Sequence, residues 1–211
     1  MADEKKIIPE QRVGNQLDTF HEYEGKSEDD ARSVFSMAAN RLAHVNTWEK
    51  ICGPLSAKFE LTDEHGNPVQ REVRPGDHFK IDVPGPGPSA GDGYDWVRVE
   101  EIDDRRNPNA SEEHLVIRVR PAPSPINKES DTAHFFDEKA TSSFVVKRQG
   151  TLVRSEVHGR NEVPNASIEK NSDKVRNAVV GSGAIAGGSK PQWKSLVKGL
   201  LDSSIDTDEV A

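Results

Sequence analysis

A single cysteine, Cys52, stands in a chain of 211 residues. It excludes an intrachain disulfide and any multi-cysteine metal site. No apolar run approaches the roughly 18 residues that a membrane helix needs. The opening MADEKKIIPEQ lacks the apolar core of a secretory signal, so the expectation is a soluble, cytoplasmic chain. Aromatic residues make up 6% of the sequence, and no repeat with a period of 20–50 residues is visible. No two of the seven histidines (His21, His44, His65, His78, His114, His134 and His158) have the i, i+4 spacing of a helical metal pair. A Gly-x-Ser-x-Gly nucleophile elbow is missing as well. Cys52 beside Gly53-Pro54 has no base near it in sequence and reads as a small apolar core residue.

Acidic charge is plentiful. Thirty-six Asp+Glu face 28 Lys+Arg, a formal net charge of −8 that argues against general nucleic-acid binding. The distribution is uneven. Residues 1–30 carry nine acids and four bases, and residues 139–176 carry eight bases and four acids. The basic stretch, with Lys147, Arg148, Arg154 and Arg160, has only Phe144 among it, so it lacks the interleaved aromatics of a single-strand binder.

The periodicity divides the chain. Residues 1–26 read as a flexible acidic arm. Ser27 ahead of Glu28-Asp29-Asp30 is a helix start, and Ala31, Val34, Phe35, Ala38, Leu42 and Val45 give a helix over 28–45, with Arg41 off the apolar stripe. Trp48 packs at its exit, within a unit ending at 54. Over 55–120 the period becomes two. Apolar alternation at 57–61, 69–73, 79–83, 97–99 and 115–119 predicts five antiparallel strands. A proline-rich loop follows at 121–141, then a hairpin of 142–148 with 151–158 and a helix over 167–180, together spanning 142–180. GSGAIAGGS at 181–189 reads as a hinge. Trp193, Leu196, Val197, Leu200 and Leu201 make an amphipathic helix over 190–202, ahead of an acidic tail at 203–211. The fold class expected is α+β: a mainly antiparallel sheet or small SH3-like barrel of about seven strands, with one N-terminal and two C-terminal helices.

Several motifs suggest chemistry and stop short of it. Gly183 to Lys190 has the glycines of a phosphate loop, but Ser189 and Lys190 are in the wrong order. Gly91-Asp92-Gly93-Tyr94-Asp95 is a fragment of a calcium loop without its distant glutamate. No metal or cofactor is expected. His78 and His114 stand on polar strand faces near acids and could serve general acid–base catalysis if they met in one cleft. On the strand from Tyr94, the core face takes Val97 and Val99. Tyr94, Trp96 and Arg98 then point outward beside a Gly/Pro-rich loop and suit a binding groove.

The segment Pro75 to Ile81, a Gly/Pro loop, and Asp95 to Val99 resemble the strand–loop–strand rhythm of SH3-like barrels. The terminal amphipathic helix, Trp193 to Leu201, is similar to that of helix-grip proteins that enclose lipids. Neither resemblance assigns a functional residue. The leading expectation is a non-enzymatic interaction or assembly module. It would bind a protein partner or itself through Trp193, Leu196 and Leu200, without nucleic acid or a membrane span. The alternatives are a helix-grip small-molecule or lipid binder and a small enzyme with a His/carboxylate pair.

Overall fold

The computed structural model describes residues 7–53, 57–83, 91–127, 131–165 and 190–205. Seven strands form one antiparallel sheet: β1 (Asn15–Glu24), β2 (Lys58–Thr62), β3 (His78–Asp82), β4 (Asp95–Asp104), β5 (Glu112–Pro121), β6 (Thr141–Gln149) and β7 (Leu152–Glu162). Their spatial order is β1-β7-β6-β5-β4-β3-β2, so among the described residues β1 and β2 are the edges and the sheet is open. The SH3-like barrel is therefore corrected to an open sheet. Helices fill its inner face, and the two edge strands do not pair with each other.

Three helices are described: α1 (Glu28–Ala43), α2 (Trp48–Cys52) and α3 (Lys190–Leu201). Ser27 caps α1, its hydroxyl accepting from the Asp30 amide at 3.2 Å, and three acids occupy the first turn. The expected apolar stripe faces the sheet, with Ala31, Val34, Phe35, Ala38 and Leu42 all buried. Helix α3 lies across the inner face against β1 and β7 and touches α1 and α2.

Four sequence expectations need correction. Residues 15–24, expected within a mobile arm, form β1 along the whole of β7. Ile7, also in that arm, is buried on the outer face against Val116 and Val145. Residues 69–73 form no strand. The Val69 amide donates to Leu61, but that of Val73 donates to Ala43 at the end of α1, and the Asn46 side-chain amide holds the Val69 carbonyl. Arg41, expected on the polar side of α1, is buried. It donates to the carbonyls of Gly199 (3.0 Å), Leu200 (3.4 Å) and Asp202 (2.7 Å) and to that of Ile205, closing the C-terminal end of α3. The expected helix at 167–180, the glycine hinge at 181–189 and most of the acidic tail lie outside the described residues. No helix among the described residues is long and apolar enough to cross a membrane.

Candidate functional site

Under α3 the inner face is aromatic. The Trp48 ring, fully buried, meets Phe59 at 5.3 Å, Phe79 at 5.7 Å and Phe144 at 4.8 Å between centroids. Trp193, from the first turn of α3, joins Phe144 at 5.5 Å and Phe59 at 6.4 Å. Edge-on contacts of this kind add about 0.5–1.5 kcal/mol each beyond buried area. Trp193 itself is only partly buried. Two contacts tie α3 down beside it. The Gln192 side-chain oxygen accepts from the Ala57 amide at 3.4 Å, and the Ser155 hydroxyl donates to the Val197 carbonyl at 2.5 Å.

The inner face loses its bulk beyond Phe144. Ser142 stands two residues before Phe144 on β6, on the same face, and is half-exposed. Its register partner on β7 is Gly159, whose own partner on β1 is Leu17. Gly159 lies under Glu162. A Cβ on Gly159 would stand 2.1 Å from the Glu162 Oε1, so the carboxyl occupies the space that any other residue would fill. Glu162 is buried, and burial pushes its pKa up to about 7, with Arg160 pulling weakly the other way. The aromatic rings, a hydroxyl and a carboxyl that titrates near neutrality therefore adjoin at one end of the inner face.

A pH dependence follows from this group. Below its ordinary value of 4.5, Glu162 is protonated in both the folded and unfolded chains and contributes nothing. As pH rises from there to about 7, the unfolded chain releases the proton and the folded one holds it, so stability falls. Above that, a penalty of about 3 kcal/mol is fully in place. Glu162→Gln is expected to melt higher than the parent at pH 8.5, with the gap closing at pH 4.5. Equal shifts at both values would show that Glu162 does not carry the effect.

The other expected site residues are scattered. Leu196 and Leu200 are buried in the chain's own core. Trp96 does point outward, as its alternation with Val97 required, yet it is 1% exposed. Segment 131–136 folds over it: the Trp96 amide donates to the Ala133 carbonyl at 2.7 Å, and the Phe135 amide donates to the Asp95 carboxylate at 3.0 Å. The groove expected at Tyr94 and Trp96 is thus covered. Tyr94 lies under the Lys80 ammonium, 4.2 Å from its ring centre, and Arg98 is exposed. His78 and His114 share the outer face but stand apart. His78 aligns with Arg98 and Arg120, and His114 is six positions from Arg120 on β5, about 20 Å along the strand. His114 pairs with Asp103 at 2.8 Å. Burial, with Arg98 opposite, holds the His78 pKa below its usual value. Burial pushes the Cys52 thiol up to about 12, so it is not a thiolate at neutral pH. Among the described residues, no group of three or more His, Cys, Asp and Glu side chains could hold a metal ion.

No family model matches the chain, and no curated protein does. Solved structures that it resembles include protein Ms6760 from Mycobacterium smegmatis, with a TM-score of 0.41 and 17% identity over 89% of this chain and 91% of that one. A protein from Arthrobacter aurescens gives 0.42 and 13% over 93% and 92%. Norcoclaurine synthase from Thalictrum flavum, in complex with dopamine and hydroxybenzaldehyde, gives 0.36 and 14% over 90% and 88%. In this chain the open antiparallel sheet carries α3 across its inner face, against β1 and β7, with α1 and α2 alongside.

Of these candidate residues, the sequence pattern singles out Trp193 and gives no sign of Ser142, Gly159 or Glu162. Glu162 looked like one acid within a basic stretch. Its burial depends on a glycine three residues earlier, and no local pattern announces that.

Proposed function

We propose that this chain is a helix-grip binding protein for a small amphipathic molecule. The ligand's apolar body would pack on Trp193 and Phe144, and its polar group would meet Ser142 and Glu162. One observation carries the reading: α3 crosses the sheet and leaves Trp193 half-covered on Phe144, on the inner face that also holds Ser142 and, over Gly159, the buried Glu162 carboxyl. A protonated Glu162 donates and accepts hydrogen bonds, while an ionised one attracts a cationic head group. The reading is one of binding; the two histidines offered as acid–base candidates stand about 20 Å apart and do not share one cleft. The assembly reading loses its main support, since the stripe it relied on is spent within the chain.

The test is a head-group series of constant length: octylamine, octanol and octanoate, followed by tryptophan emission. Trp48 and Trp96 are fully buried, so a ligand-dependent shift reports on Trp193. Saturable binding is expected, with the amine ahead of the carboxylate at pH 8. Trp193→Phe should remove the signal. Glu162→Gln should weaken the amine about tenfold, the value of one charge-assisted contact. A shift that survives Trp193→Phe, or the absence of saturation with all three, would overturn the reading.

A further inference from the structure

The opposite face of the sheet carries a second candidate with different chemistry. The chain leading into β1 crosses the outer face and leaves a cleft of about 490 Å³ between itself, β5 and the start of β6. Four cations line it: Arg12, Arg118, Arg120 and Lys139, against Glu10 as the one acid on its wall. Glu100 lies below and accepts from both Arg118 (3.0 Å) and Arg120 (2.5 Å), and Glu101 pairs with Arg118 at 3.0 Å. A bulge between Val99 and Glu101 is what aims both glutamates at Arg118. Arg118 also donates to the Ile7 carbonyl at 3.0 Å, and Arg120 to the Glu138 carbonyl at 2.7 Å and a second time to Glu100 at 3.3 Å, so two of the five N–H donors of each guanidinium remain. Lys139 makes no ion pair among the described residues, and neither does Arg98, the register partner of Arg120.

Two further features mark the cleft as built. The Thr141 hydroxyl on its wall is buried and has no hydrogen-bond partner, although its residue is only 2% exposed. An orphaned buried hydroxyl costs about 1–3 kcal/mol unless something engages it. The cleft's roof is also pinned. Asn161, held at φ 55°, accepts from the amides of Arg12 (2.7 Å) and Val13 (3.1 Å), and its own amide donates to Gln11 at 2.9 Å. A non-glycine residue kept in the left-handed region is a feature that collects at ligand clamps.

We infer that this cleft binds a small molecule through a phosphate group. Spare arginine donors, an unpaired ammonium and a free hydroxyl suit a tetrahedral oxyanion with several acceptors. Glu10, Glu100 and Glu101 balance three of the four lining cations, and the remaining positive charge together with Arg98 beside Arg120 matches the charge of a phosphomonoester dianion. Pro9 and Val13 on the rim leave apolar room for an organic body, which makes a phosphomonoester the best match.

The experiment titrates the full chain with inorganic phosphate and phenyl phosphate at fixed ionic strength, following backbone amide and arginine Nε–H signals by NMR. Saturable binding is expected, with phenyl phosphate tighter than phosphate and shifts centred on Arg118, Arg120 and Thr141. Lys139→Gln should weaken it about tenfold. Thr141→Val, an isosteric change, should weaken it while leaving the spectrum folded. Lys194→Gln, on the exposed side of α3, serves as the charge control and should bind as the parent does. Equal weakening by both lysine variants, or shifts that never saturate, would overturn the inference. The readout is independent of Trp193, so this site and the one under α3 can fail separately.

Discussion

Arg41→Met is expected to destabilise the fold by about 3–5 kcal/mol, since it leaves several buried carbonyls unpaired at about 1–3 kcal/mol each, a large part of the total stability of a typical domain. The last carbonyls of a helix have no partner within it, and here they are buried. One guanidinium from α1 serves the carbonyls of Gly199, Leu200, Asp202 and Ile205. Its charge also suits the negative end of the α3 dipole. Methionine fills the same space but leaves those oxygens dry and unpaired. Arg41→Lys restores the charge without the planar fork and should recover less than half of the loss. Urea unfolding measures the difference. Acrylamide quenching should rise at Trp193 first, since α3 is the element released. A Met variant with parental stability would show that water replaces the arginine at no cost.

Glu113→Gln is expected to cost a similar amount, about 3–5 kcal/mol. The Arg148 side chain is fully buried, its Nε donating to Glu113 at 2.8 Å. Its other nitrogens donate to the carbonyls of Ala110 (2.7 Å) and Gly150 (3.0 Å). The second Glu113 oxygen accepts from the Asn107 amide at 2.9 Å. The pair thus joins the β4–β5 connection to the β6–β7 turn. Removing the carboxylate alone leaves a buried cation without a counter-charge. The double replacement Glu113→Gln with Arg148→Met removes that charge too, and should be more stable than Glu113→Gln alone. A double-mutant cycle in urea reads the coupling; additive losses would mean that the two side chains do not depend on each other.

Where burial follows from local periodicity, the sequence was readable. The stripes of α1 and α3 and the alternation in β2 to β7 each name their inner face without knowledge of partners. The outward direction of Trp96 was readable for the same reason. What covers Trp96 was not, because segment 131–136 reaches it through backbone contacts that no period encodes. Strand β1 escaped notice because it is an edge. Leu17 and Thr19 are buried, whereas Phe20 is 55% exposed and the charges around it face water. Residues 69–73 show the opposite failure. Val69 and Val73 alternate around Arg71 as a strand would, yet the Val73 amide is taken by a helix end. Arg41, Arg148 and Glu162 are buried charges. Their positions are settled by groups that are distant in sequence or, for Glu162, by the lack of a side chain on Gly159.

The pairing of β1 with β7 also sets an order of events. Asp18 meets His158 across 140 positions, and among the described strands β7 is the neighbour of β1 in the sheet. A ribosome therefore delivers the first strand long before its partner exists. At ordinary elongation rates of about 5–20 residues per second, the wait is roughly seven to thirty seconds. Throughout it the first strand is an unmatched edge, and α1 has no sheet to lie on. Closure must come after the C-terminal half has emerged, which makes the nascent chain, rather than the finished one, the state most exposed to mispairing and to chaperones.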